Sequence, residues 1–233
     1  MGLPKLTKAQ REEYNEQGYV AIPDIFSLSE LADMDREIDR LDEQIRQRKG
    51  GEHNGWIMQL GLRSDKTRQF AEDERVLSLI EDLVKPGIAI YSAKLTAKIP
   101  HSDEVCHWHQ DDAYYTMKSQ SDTRMSIWVP LQDANENNGC LWVVPGSHHR
   151  GLQPYENKKD GMCRLSFKEE EMDLSGAIPL PVRAGSIVLF HALLWHSSKG
   201  NSTDKIRRAF IVSYQEATVP TGNGEQWKIL RPA

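Results

Sequence analysis

Cys106-His107-Trp108-His109-Gln110-Asp111-Asp112 packs two imidazoles and two carboxylates into seven residues. His109 and Asp111 stand two apart in it. On an extended strand, residues i and i+2 project from the same face. Both side chains can then hold one ion without a bend in the backbone. The stretch predicts a strand over 105–111 that carries two-thirds of a metal site. It lies inside a longer tract of β character, with further candidate strands at 88–98, 124–131, 141–144, 178–182, 186–190, 207–215 and 227–231. Turn chemistry separates them: Asn135-Glu136-Asn137-Asn138-Gly139, Pro145-Gly146-Ser147 and Ala184-Gly185-Ser186. Many short strands joined by Gly, Pro and Asn turns predict a mainly β sandwich or jelly-roll barrel.

Before that tract the pattern is helical. Thr7 and Gln10 form a capping box for a helix running to about Gln17, where Gly18 supplies the left-handed end. Tyr19-Val20-Ala21-Ile22 reads as a short strand. Ser27 and Glu30 open a second helix, whose apolar stripe is Leu28, Leu31, Met34, Ile38, Leu41 and Ile45. Asp33, Arg36, Glu37, Arg40 and Glu43 form its solvated face, and Lys49-Gly50-Gly51 ends it. Val76, Ile80 and Leu83 predict a third helix, stopped before Pro86-Gly87. One domain over 1–233 is expected, with a helical part over about 1–87 and a jelly-roll core over about 88–233. Residues 52–70, with Trp56 and Gln59, read either as a substrate-facing loop or as ordinary packing. Residues 147–177 are long and polar, as lids and binding loops are.

Composition excludes several classes. The chain has 233 residues, 39% hydrophobic and 27% charged, which fits a soluble globular protein. Its net charge of -5 argues against a nucleic-acid surface, and Lys205-Ile206-Arg207-Arg208 is too short to make one. Apolar runs reach about six residues, far below the ~20 of a membrane span. Cys106, Cys140 and Cys163 are odd in number and show no Cys-x-x-Cys spacing. A disulfide framework is therefore not expected, and a reducing compartment is. With no signal peptide in view, the expected location is cytoplasmic.

The third ligand should be a histidine from a distant strand. His196 follows an apolar strand in Leu193-Leu194-Trp195-His196-Ser197-Ser198; His191 is its rival. His101-Ser102-Asp103 is a second His-x-Asp pair, and His107 shares an alternating face with His109 and Asp111. Two histidines and a carboxylate at three corners of an ion leave positions open, as in the facial triad of non-haem iron oxygenases.

The ordered series of motifs resembles the phytanoyl-CoA dioxygenase family of Fe(II)- and 2-oxoglutarate-dependent oxygenases. It runs through Trp108-His109-Gln110-Asp111, Trp128-Val129-Pro130-Leu131-Gln132-Asp133 and Asn138-Gly139-Cys140-Leu141-Trp142-Val143-Val144-Pro145-Gly146-Ser147-His148, and ends at His196-Ser197-Ser198 with Asn201 and Arg207. With Gly18-Tyr19-Val20 at the start, it spans nearly the whole chain. The resemblance implies a double-stranded β-helix core of jelly-roll or cupin type with flanking helices. It implies that His109, Asp111 and His196 are the Fe(2+) ligands and the catalytic centre. It implies that Arg207 and Ser198 bind the distal carboxylate of 2-oxoglutarate, with Trp128 lining that pocket. Only the family offset favours Arg207 over Arg208, because strand alternation is neutral between them. Lys94 and Lys98 read as solvated, with one of them left open as a co-substrate contact, His148 and His149 read as structural, and Tyr114 and Tyr115 as either packed or substrate-facing.

The implied reaction consumes 2-oxoglutarate and O2, releases succinate and CO2, and hydroxylates a C–H bond of a small molecule. Asp111 favours hydroxylation, since related halogenases carry a small residue there, and leaves desaturation or ring chemistry open. Two rivals are a non-catalytic jelly-roll protein that binds or senses a ligand, and a cupin-type hydrolase or isomerase. The first has no need of His109, Asp111, His196 and Arg207 together, and the second none of Arg207 and Ser198 at these offsets. The primary substrate and the oligomeric state are not legible in the sequence.

Overall fold

The computed structural model describes residues 2–49, 56–58, 63–114, 121–219 and 229–233. Gly50, Gly51, Gln59 and Tyr115, and the first two residues of the expected strand 227–231, lie outside them. Helices α1 (Lys8–Gln17) and α2 (Leu28–Lys49) flank strand β1 (Tyr19–Ile22). Strand β2 (Trp56–Met58) and helices α3 (Asp65–Ala71) and α4 (Glu74–Ile80) follow. Both expected capping boxes form: Thr7 with Gln10, and Ser27 with Glu30. Gly18 ends α1 at φ 81°, where a Cβ would meet the His148 ring at 2.5 Å.

The remaining strands are β3 (Ile88–Lys98), β4 (Cys106–His109), β5 (Met125–Pro130), β6 (Leu141–Val143), β7 (Glu156–Asn157), β8 (Leu165–Ser166), β9 (Ile178–Leu180), β10 (Ile187–His191), β11 (His196–Ser198), β12 (Arg207–Gln215) and β13 (Ile229–Arg231). A major antiparallel sheet runs β1-β10-β5-β12-β3-β13, with β2 also on β3. A minor antiparallel sheet runs β4-β11-β6-β9, and β7 pairs with β8. The mainly antiparallel β core with flanking helices is the architecture expected from the sequence. The strands β1 and β2, from the otherwise helical first part, join the major sheet.

Alternation along the major sheet sorts its residues onto two faces. Outward go Met125, Ile127 and Val129 of β5, Ile187 and Leu189 of β10, and Phe210, Val212 and Tyr214 of β12. They pack with Leu31, Met34 and Ile38 of α2 and with α3 and α4 in one apolar cluster. Inward go Trp128, Val188, Phe190, Ala209 and Ile211, which meet Leu141 and Val143 of the minor sheet. Between the two sheets the apolar packing is incomplete. Polar residues occupy the rest of that face, and there the site is built.

Two expectations are corrected here. The strand 105–111 ends at His109, and Asp111–Tyr114 is a 3-10 turn. The chain leaves the sheet because Gln110 and Asp112 are held from outside it. Gln110 Nε2 donates to Gly151 O and Leu193 O, while Asp112 pairs with the fully buried Arg124. The second correction is that Cys106 and Cys163 are disulfide-bonded, leaving Cys140 free and buried. Their 57-residue separation carries no sequence signal. The pairing follows from the path of the 147–177 segment, which folds back along the edge of β4: Met162 N–H donates to Val105 O and Phe167 N–H to Trp108 O.

Candidate metal centre

His109 ends β4, and His196 opens β11 directly opposite it in the minor sheet. Asp111 reaches the same point from the turn after β4. One ligand atom from each of the three lies within 4.8 Å of the others. Asp111 Oδ1 is 3.9 Å from both His109 Nε2 and His196 Nε2, and all three residues are buried.

The second atom of each group is already engaged. His109 Nδ1–H donates to His107 O at 2.8 Å, and His196 Nδ1–H to Leu194 O at 2.9 Å. A carbonyl can only accept, so each ring carries its proton on Nδ1 and keeps the Nε2 lone pair free. Burial pushes both imidazoles below their usual range, so they are neutral, the form that binds metal. Burial alone would raise Asp111, but the Lys94 ammonium and the Ser126 hydroxyl outweigh it and keep the carboxylate ionised. Two neutral nitrogen donors with free lone pairs and one carboxylate oxygen, converging on one point, fit a divalent first-row metal.

Asp111 Oδ2 accepts from Ser126 Oγ at 2.7 Å. Ser126, Ser213 and Ser92 are cross-strand neighbours on β5, β12 and β3. Their hydroxyls form one line, with 2.8 Å between Ser126 and Ser213 and 3.4 Å from Ser92 to Ser213. Sequence reading missed this ladder. Its only signal was a serine at an inward position on each of three strands, which shows once the register is known.

The other candidate ligands are elsewhere. The exposed His101 bonds Asp204 at 2.8 Å. His191 Nδ1 accepts from Leu193 N–H and packs 5.3 Å from His148, whose Nε2 donates to Asn15 O. His107 turns away through a bulge. His196 pairs with His109 and Ser198 with Cys106, so two steps on β11 span three on β4. That puts Cys106 beside His109, with Sγ 3.6 Å from Nδ1. His107 instead lies 3.6 Å from Asp160 and Glu169.

The two arginines separate cleanly. Arg207 is 1% exposed and lies over Trp128, its guanidinium carbon 5.6 Å from the ring centre. It donates to Gly139 O at 2.8 Å, Asn138 O at 3.3 Å and Thr96 Oγ1 at 3.4 Å. These partners are all neutral, and burial pulls the guanidinium down to about 10. Arg208 faces α2, where it pairs with Asp35 and Asp39. Ser198 is buried two residues after His196 on β11.

Lys94 and Lys98 are not solvated, contrary to expectation. Lys94 Nζ is 3.5 Å from Asp111 Oδ1. Lys98 is 1% exposed, directly across from Arg207, and donates to Glu104 O at 2.7 Å. Burial and then Arg207 push its ammonium down to about 7. Tyr114 stands edge-on to His109 at 6.1 Å, with its hydroxyl on Leu165.

Comparison with known proteins adds to this geometry. Residues 14–209 match the family described as phytanoyl-CoA dioxygenase (PhyH). Mouse phytanoyl-CoA dioxygenase domain-containing protein 1 is 29% identical over 164 residues, covering 69% of this chain and 56% of the mouse protein. The chain thus spans little more than half the length of that relative. A probable alpha-ketoglutarate-dependent hypophosphite dioxygenase of Stutzerimonas stutzeri is 24% identical over 226 residues, 89% of this chain and 78% of that protein. Among solved structures, EctD from S. alaskensis with 2-oxoglutarate and 5-hydroxyectoine has a TM-score of 0.77 at 21% identity, covering 91% of this chain and 77% of that one. The alpha ketoglutarate dependent carbocyclase SnoK has a TM-score of 0.74 at 23% identity, covering 95% and 88%. At these identities the likeness is one of fold.

Proposed function

The chain belongs to the phytanoyl-CoA dioxygenase family, and from that premise we propose that it is an Fe(II)- and 2-oxoglutarate-dependent dioxygenase that hydroxylates a small molecule. The reading takes His109, Asp111 and His196 as iron ligands, Arg207 and Ser198 as the grip on the distal carboxylate of 2-oxoglutarate, and Trp128 as a wall of that pocket. One observation carries it. The three buried ligand atoms converge, both imidazole Nε2 lone pairs are free, and the second atom of each group is tied down.

When bound, the iron and 2-oxoglutarate supply the oxidative chemistry: 2-oxoglutarate, O2 and R–H become succinate, CO2 and R–OH. The protein's residues do the positioning. The Nδ1–H bonds fix the facing of both imidazoles, and the serine ladder fixes Asp111. Arg207 offers a planar fork to a carboxylate in a site where its protein partners leave its charge unmatched. A purely ligand-binding jelly roll has no need of a complete triad beside such an arginine.

Residues 1–233 form one domain in this reading, acting on a small molecule, with no nucleic-acid or membrane partner. No described helix is long and apolar enough to cross a membrane. A cytoplasmic location accompanies the reading. The test is succinate release with Fe(II), O2 and 2-oxoglutarate, screened against a metabolite library. Asp111→Ala should fall to background while its circular dichroism stays that of the wild type. Undiminished turnover in that variant would overturn the ligand assignment.

A further inference from the structure

The segment 151–174 is hung on the stretch that bears the metal ligands, at both ends of that stretch. Met162 N–H donates to Val105 O at 2.7 Å and Phe167 N–H to Trp108 O at 2.9 Å, so the segment covers the outer edge of β4. Leu165 N–H donates to Tyr114 Oη at 2.8 Å, and Tyr114 faces the His109 ring. Gln153 N–H donates to Gln110 Oε1 at 2.8 Å, between His109 and Asp111 in sequence. His107 lies 3.6 Å from a carboxylate oxygen of Asp160 and of Glu169. Each of these ties is non-covalent and reversible. The Cys106–Cys163 bond is covalent, and it fastens the same two pieces of chain.

The bulge in β4 decides what that bond touches. In a regular strand, Cys106 and His109 would face opposite ways, three residues apart. With one extra residue opposite β11, Cys106 Sγ comes to 3.6 Å from His109 Nδ1. That nitrogen is the one whose bond to His107 O leaves Nε2 free for metal. The sulfur bridge therefore abuts the hydrogen bond that orients a ligand. Cys140, buried in the apolar cluster between the sheets, takes no part.

We propose that Cys106 and Cys163 are a reversible redox site: their disulfide clips segment 151–174 against the metal-bearing strand, and reduction frees the segment and loosens His109. The effect on the metal rests on the oxygenase reading; the clip itself does not. Reduction breaks the Sγ–Sγ bond. A dithiol delivers two electrons and two protons, giving two thiols, and leaves as its own disulfide. In the cytoplasmic location proposed above, disulfides of mesophile proteins are usually transient and catalytic or redox-sensing, which is the behaviour the clip requires.

The experiment uses the full chain in two states, oxidised with glutathione disulfide and reduced with dithiothreitol. Alkylation and mass spectrometry should find Cys106 linked to Cys163 in the first state and both free in the second. Hydrogen exchange at Met162, Leu165 and Phe167 should be about tenfold faster or more after reduction, with Phe210 unchanged as a control for the fold. Cys163→Ser should exchange like the reduced wild type and ignore dithiothreitol. Bound Co(II) should be lost to a chelator faster from the reduced form. Absence of the 106–163 link under oxidant, or equal exchange in the two states, overturns the clip. An exchange difference with an unchanged rate of Co(II) loss overturns the coupling to His109. An exchange difference in a protein that binds no Co(II) supports the clip and overturns the metal reading.

Discussion

Strands β3, β5 and β12 carry two different surfaces on opposite sides of the same backbone. On β12, Phe210, Val212 and Tyr214 go into the apolar cluster beneath the helices, while Arg207 and Ser213 face the minor sheet. On β5, Ile127 and Val129 go one way, and Ser126 and Trp128 the other. The outer face has no chemistry to offer, yet it controls the inner one. A one-residue slip of a strand flips every side chain to the other side. Such a slip would turn Phe210 and Val212 toward the minor sheet and bring Arg208 to the site in place of Arg207. The register that buries the most apolar surface is thus the one that brings Ser126 to Asp111.

The comparison can be broken from either side. Phe210→Ala tests the apolar face. Phe210 is fully buried and edge-on to Phe70 at 5.2 Å. Its loss should cost about 3–5 kcal/mol in urea denaturation, with 2-oxoglutarate affinity of the folded protein unchanged. A cost below ~1 kcal/mol would mean that this face does not hold the register.

The two arginines come next. Arg207→Ala should weaken 2-oxoglutarate binding by about 2–3 kcal/mol, roughly 30- to 150-fold, as expected for losing hydrogen bonds from a charged donor. Arg208→Ala removes ion pairs to Asp35 and Asp39 that are partly open to water. It should lower stability by less than about 1 kcal/mol and leave the affinity alone. Calorimetry on both variants decides, and the reverse result would exchange the faces. The smallest effect is at the ladder. Ser126→Ala should weaken metal binding by about tenfold, the low end for removing a group that orients a ligand, read by competition with a chelator for Co(II). Unchanged affinity would mean that Asp111 is held without its serine.

Much of this site was legible in the sequence where the relevant atoms are close along the chain. His109 and Asp111 stand two apart and meet; Thr7 caps with Gln10 three residues on. Asp111 comes to His109 from a turn and not from the strand, because Gln110 and Asp112 are held by residues 41 and 12 positions away. Lys94 and Lys98 were misread because lysine ordinarily stays in water. Their burial depends on which face of β3 meets the minor sheet. The disulfide was missed because nothing near Cys106 or Cys163 says that the polar segment folds back along β4.

By itself, then, the sequence determined the capped helices, most of the core strands and which residues to propose as ligands. These follow from bonds closed within a few residues or from an alternation that any strand displays. Only the tertiary structure decided which arginine faces the site, which serines hold Asp111, and where the sulfur of Cys106 points. Each of those depends on register and on contacts between distant parts of the chain. They are settled by burying apolar surface on the far side of the same strands, which no local spacing records.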